Sequence, residues 1–107
     1  MSNKKILIVD DDKDIRENLE EALKYEGYDI ITAVNGRNAL DILLKLNKDE
    51  LPGLILLDLM MPIMAGQEFL KNLDEKYQSE LGHIPVIVIS AQVDQYGWRT
   101  SDDQKRL

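Results

Sequence analysis

Four aspartates stand where two apolar runs end. Ile6-Leu7-Ile8-Val9 leads into Asp10, Asp11 and Asp12, and Leu54-Ile55-Leu56-Leu57 leads into Asp58. In an open parallel sheet the C-terminal ends of the strands lie along one edge, and ligands bind in the crevice there. Acids distant in sequence can therefore meet in space. Crowded carboxylates repel, and one of them must take up a proton unless a cation neutralises the group. A hard divalent ion with oxygen ligands, Mg2+ above all, suits such a set. Ser90 closes a third apolar run, and its hydroxyl could hydrogen-bond a phosphoryl oxygen held near Asp58. Asp11 and Asp12 also fit a plainer role as helix caps. Asp58 follows a strand, so capping does not explain it, and its plain alternative is an ordinary loop acid.

The elements that would carry these residues alternate. Lys5 to Val9 reads as a strand buried on both faces. Asp12 to Glu26 reads as a helix with Ile15, Leu19, Ala22 and Leu23 on its inner stripe, stopped by Gly27. Tyr28 to Ala33 is a second strand, rich in β-branched residues. Asn35 can cap a second helix that turns Ala39, Ile42, Leu43 and Leu46 inward. Asn47 to Glu50 and Pro52-Gly53 form the next connection, and Leu54 to Leu57 the third strand. Met60 to Gly66 reads as a loop. Gln67 to about Ser79 reads as a third helix with Phe69, Leu70, Leu73 and Tyr77 inward, and Pro85 to Ile89 as a fourth strand. This β-α-β-α-β-α-β order predicts an α/β fold, a parallel sheet with helices on both faces.

The bulk properties narrow the classes. A chain of 107 residues favours one domain, and a net charge of -7 opposes nonspecific affinity for nucleic acid or anionic lipid. With no cysteine, disulfides and thiolate metal sites are excluded. No apolar run approaches a membrane span, and the start, Met1-Ser2-Asn3-Lys4-Lys5, does not resemble a signal peptide. The expectation is a cytoplasmic protein. The single histidine, His83, precedes a strand in a loop and reads as structural or exposed, not as a phosphodonor.

Four segments together resemble the receiver domain of bacterial two-component response regulators: Ile8-Val9-Asp10-Asp11-Asp12, Leu56-Leu57-Asp58-Leu59-Met60-Met61-Pro62, the nearby Gly66, and Val88-Ile89-Ser90-Ala91. The likeness spans Ile6 to Ala91. It implies a flavodoxin-like doubly wound sheet with strand order 2-1-3-4. It implies that Asp58 is the phosphoacceptor, that Asp11 binds Mg2+ directly, and that Asp10 acts beside it, usually through water. The main-chain carbonyl of Met60 would be the third protein ligand, and Ser90 the switch hydroxyl. The phosphoryl donor would be a histidine kinase or phosphotransfer protein.

The sequence also departs from the family. Ala65 replaces a common acid before Gly66. No proline follows Pro85, so the family's lysine before proline has no counterpart, and Lys105 does not take its role. Residues 1–91 are expected to form the receiver-like domain and 92–107 an atypical tail, with the fifth strand and last helix missing. The tail's apolar residues are Val93, Tyr96, Trp98 and Leu107. An uncovered fourth strand and first helix would favour a homo-oligomer, through the strand-four edge or the exposed helix face, with Tyr96 and Trp98 as anchors. Output coupling is expected to be impaired. Two other functions fit part of the pattern. One is a receiver-derived docking or oligomerisation module that merely binds metal. The other is a haloacid-dehalogenase-like phosphatase with Asp10 as nucleophile and Asp12 as acid-base.

Overall fold

β1 (Lys5–Val9) runs through the middle of a parallel sheet, between β2 (Asp29–Ala33) and β3 (Leu54–Asp58), with β4 (Val86–Ile89) beyond β3. The computed structural model describes residues 3–59 and 64–89. The strands are all parallel, as the alternation of elements predicts, and their order among these residues is β2-β1-β3-β4, as the resemblance implies. Met60, Ser90 and the expected boundary between residues 91 and 92 lie outside the described residues.

β1 is the most deeply buried strand of the sheet. Leu7, Ile8 and Val9 are wholly inaccessible to solvent, and each such side chain stabilises the fold by about 1.5–3 kcal/mol. Alternation divides the strands between two faces. Leu7, Val9, Ile55, Leu57, Val86 and Val88 join one core with Ala39, Leu40 and Leu43 of α2 (Gly36–Lys45) and Phe69 and Leu70 of α3 (Gly66–Lys71). Ile6 and Ile8 face the other way, toward α1 (Lys13–Tyr25), which packs on β1 and β2. Right-handed crossovers require this placement of α1 and α2 on opposite faces.

Both cores are visible in the sequence pattern, with two differences. The expected inner stripe of α1 is only half covered: no residue of that helix is buried, and Ile15 is 47% exposed. Among the described residues α1 alone covers its face of a four-stranded sheet, so Leu54, Leu56, Ile87 and Ile89 also keep part of their surface. The third helix is not continuous. α3 passes into a π-turn, Asn72–Lys76, and a short α4 (Gln78–Leu81) follows a break at Tyr77. Leu73 and Leu81 would stand about 80° apart around an uninterrupted α-helix at ~100° per residue. The wider turn rotates less per residue, and both leucines end up in the core.

Helix ends follow the residues expected to make them. Gly27, with φ of 97°, closes α1 in the left-handed region and donates its N–H to the Lys24 carbonyl. The Asn35 side chain accepts from the Asn38 N–H at 2.7 Å and caps α2.

Candidate acidic metal centre

The pairing of β1 with β3 determines where the acids meet. Ile6 is opposite Leu54 and Ile8 opposite Leu56. One more step of two residues along each strand brings Asp10 level with Asp58 on the same face, on strands about 4.8 Å apart. Asp10 has just left β1, and Asp58 is the last residue of β3. Asp11 follows in the connection to α1. One carboxylate oxygen from each of Asp10, Asp11 and Asp58 lies within 4.8 Å of the other two. The sequence-predicted acids are therefore brought together at the C-terminal edge of the sheet.

Their surroundings differ. Asp10 is 3% exposed. Its main-chain N–H donates to the Ala33 carbonyl at 3.1 Å, and its Oδ1 accepts from the Asp12 N–H at 2.9 Å. Burial is the main cause that holds its proton affinity above the ordinary aspartate range. The Asp12 N–H works against that rise, the negative charges of Asp11 and Asp12 add to it, and a side-chain hydrogen bond with Asp58 again opposes it. Asp11 is exposed and Asp58 partly buried.

The donor set suits Mg2+. All three ligands are hard carboxylate oxygens, with no histidine or sulfur among them. Two oxygens bound directly to one Mg2+ lie at most about 4.2 Å apart, twice a metal–oxygen distance of ~2.1 Å. Oxygens all within 4.8 Å of one another are close enough for one ion to engage the three acids, directly or through water.

Asp12 has a different position. Its carboxylate accepts from the N–H groups of Asp14 at 2.9 Å and Ile15 at 3.1 Å, which caps α1. It thus turns into the helix. Arg16, one turn further on, donates from Nη1 to the Asp10 main-chain carbonyl at 2.8 Å. Sequence reasoning missed this contact; its only signal is a cation one turn past the cap, six residues after Asp10. It also missed the seat of the loop after β3. Met64, with φ of 52°, sets its carbonyl so close to Gly36 that a Cβ there would be 2.3 Å from the oxygen. The loop is closed by the Gly66 N–H, which donates to the Leu59 carbonyl at 3.1 Å. His83 is exposed, and because it precedes β4 it belongs to the opposite edge of the sheet.

Comparison with known proteins agrees with this geometry. Residues 6–99 match the response regulator receiver domain. Similar solved structures include the chemotaxis protein CheY4 of Vibrio cholerae, at 32% identity over 90% of this chain and 78% of that one, with a TM-score of 0.71. The response regulator TrrA of Thermotoga maritima, in complex with Mg2+ and BeF, is 38% identical over 82% of this chain and 70% of that one, with a TM-score of 0.69. The receiver domain of a signal transduction histidine kinase from Syntrophus aciditrophicus is 35% identical over 82% of this chain and 61% of that one, with a TM-score of 0.70. Receiver domains are phosphorylated by histidine kinases, and the acids Asp10, Asp11 and Asp58 are the acidic set of Mg2+-binding receivers. Among the described residues no helix is long and apolar enough to cross a membrane. With its match over residues 6–99 and its acidic edge, the chain belongs to the response regulator receiver family.

Proposed function

We propose that this protein accepts a phosphoryl group on Asp58 from a histidine kinase or phosphotransfer protein. The observation that carries the proposal is the convergence of Asp10, Asp11 and Asp58 within 4.8 Å. A carboxylate oxygen of Asp58 attacks phosphorus, the bond from phosphorus to the donor imidazole breaks, and an acyl phosphate results. Asp10, Asp11, Asp58 and the main-chain carbonyl of Met60 would hold Mg2+, which when bound offsets the charge of the phosphoryl oxygens. Asp58 ends a strand, so its backbone is fixed before the donor arrives. Ser90, the next residue after β4, would supply the hydroxyl that responds to phosphorylation.

Incubation with acetyl phosphate and Mg2+ tests it. Intact mass should rise by one phosphoryl group, the gain should vanish with EDTA, and Asp58→Asn should abolish it. An unchanged wild-type mass refutes the proposal. The phosphatase alternative has less support, because the Asp12 carboxylate that would serve as its acid-base caps α1. Self-association is proposed through the strand-four edge or the exposed helix face, beside which Ile15, Leu54, Leu56, Ile87 and Ile89 are exposed or partly exposed. Light scattering over a concentration series tests it, and a monomer at every concentration removes it.

A further inference from the structure

We infer that Arg16 is a positioning residue for the acidic centre: its guanidinium, by donating to the Asp10 main-chain carbonyl, holds the β1–α1 connection in the shape that lets Asp10 and Asp11 share one cation with Asp58. The inference rests on the reading above, that these acids hold Mg2+.

The connection needs such a tie. It is only three residues long, Asp10 to Asp12, and two of the three carboxylates arise from it. The helix that ends it offers little apolar anchorage, since no residue of α1 is buried. Polar bonds therefore define the geometry. The Asp12 N–H donates to Asp10 Oδ1 at 2.9 Å. The Asp12 carboxylate caps the helix, and the Asp12 carbonyl accepts from the Arg16 N–H at 2.9 Å. These bonds join the connection to the helix. The bond from Arg16 Nη1 to the Asp10 carbonyl, at 2.8 Å, reaches back across six residues to the end of the buried strand. It ties helix, connection and sheet together.

The chemistry of the group suits the task. A guanidinium keeps its charge at every accessible pH and presents donors in a fixed plane. Its bond to a carbonyl is charge-assisted and directional. Because the acceptor is a carbonyl, that bond occupies no carboxylate oxygen that a cation would use. Arg16 is half-buried, and its head reaches the connection. Metal sites tolerate ligand displacements of only about 0.5 Å. Partners behind the ligands commonly change metal affinity by about 10–100-fold when removed.

Calorimetric titration of the intact protein with MgCl2 tests the inference. Arg16→Met keeps the stem and removes the donors, and Mg2+ affinity should fall on the order of tenfold. Arg16→Lys restores one donor and should recover most of that loss. Lys24→Ala removes the 2.9 Å ion pair with Glu20 on the same helix, and it should leave Mg2+ affinity unchanged even where urea stability falls. Wild-type affinity in Arg16→Met overturns the inference, and so does an equal loss in Arg16→Met and Lys24→Ala. Should Arg16→Met not fold, Arg16→Gln, with its shorter reach, is judged by the same criteria. Asp11→Asn separates this from the underlying reading. If wild type and Asp11→Asn both show no Mg2+ binding, the metal site itself is refuted; if only wild type binds, the Arg16 variants decide.

Discussion

Asp10→Asn should make the metal-free protein more stable while removing its response to Mg2+. The substitution keeps the shape of the side chain. Asn Oδ1 can still accept from the Asp12 N–H, at 2.9 Å in the wild type, and its NH2 can donate to Asp58, the present side-chain partner of Asp10. What disappears is a buried negative charge beside two other acids. At 4.8 Å, the outer limit of the cluster, two unit charges repel by about 3.5 kcal/mol at an effective dielectric of ~20 and about 0.9 kcal/mol at the dielectric of water. Asp11 is exposed, so its share lies near the lower figure. Relief of roughly 1–2 kcal/mol is the expected net gain for Asp10→Asn at pH 7 in EDTA. The wild type gains about 1.4 kcal/mol when free Mg2+ reaches ten times its Kd, and the variant gains far less, so the two urea curves converge as Mg2+ is added. The advantage also vanishes in acid, where wild-type Asp10 is itself protonated. A variant less stable than wild type in EDTA, or one stabilised equally by Mg2+, refutes the argument.

The pH dependence follows from the same residue. Its raised proton affinity in the folded state contributes stability fully below the unfolded value of about 3.9 and loses it as pH rises through the folded value. Urea midpoints in EDTA should show this decline, whereas Mg2+ affinity by calorimetry should rise over that range as the ion displaces the proton. Gly36→Ala places a Cβ 2.3 Å from the Met64 carbonyl oxygen; a cost of about 1–3 kcal/mol in urea unfolding is expected, with slower labelling of Asp58 by acetyl phosphate as the loop after β3 shifts. Asp12→Ala removes the cap bonds to Asp14 and Ile15 and should lower stability by about 0.5–2 kcal/mol, read by the same urea titration.

Much of this was legible in the sequence because the signals were local and repeated. Apolar runs with acids at their ends gave the strands and the site; Asp11 or Asp12, Gly27 and Asn35 gave the helix ends, each within a residue or two of the observed position. The π-turn at Asn72–Lys76 was not legible, since no glycine or proline interrupts Gln67 to Leu81 and the break reflects how Leu73 and Leu81 both reach the core. The exposure of Ile15 was hidden for a related reason. An apolar stripe shows which side of a helix faces the sheet but not how much of it the sheet covers. The Arg16 and Gly36 contacts depend on three-dimensional proximity between a side chain and a main-chain oxygen, which no spacing rule announces.

The register of β1 on β3, which sets Asp10 just past one strand level with Asp58 at the end of the other, also governs how such a centre tolerates insertions and deletions. A single residue inserted into β3 would leave the composition of the core almost unchanged yet turn the acid to the opposite side of the sheet. Two inserted residues would restore its side but carry it about 6.6 Å farther along the strand, out of reach of its partners. Chain length within these two strands is therefore under tighter constraint than the identity of their aliphatic residues.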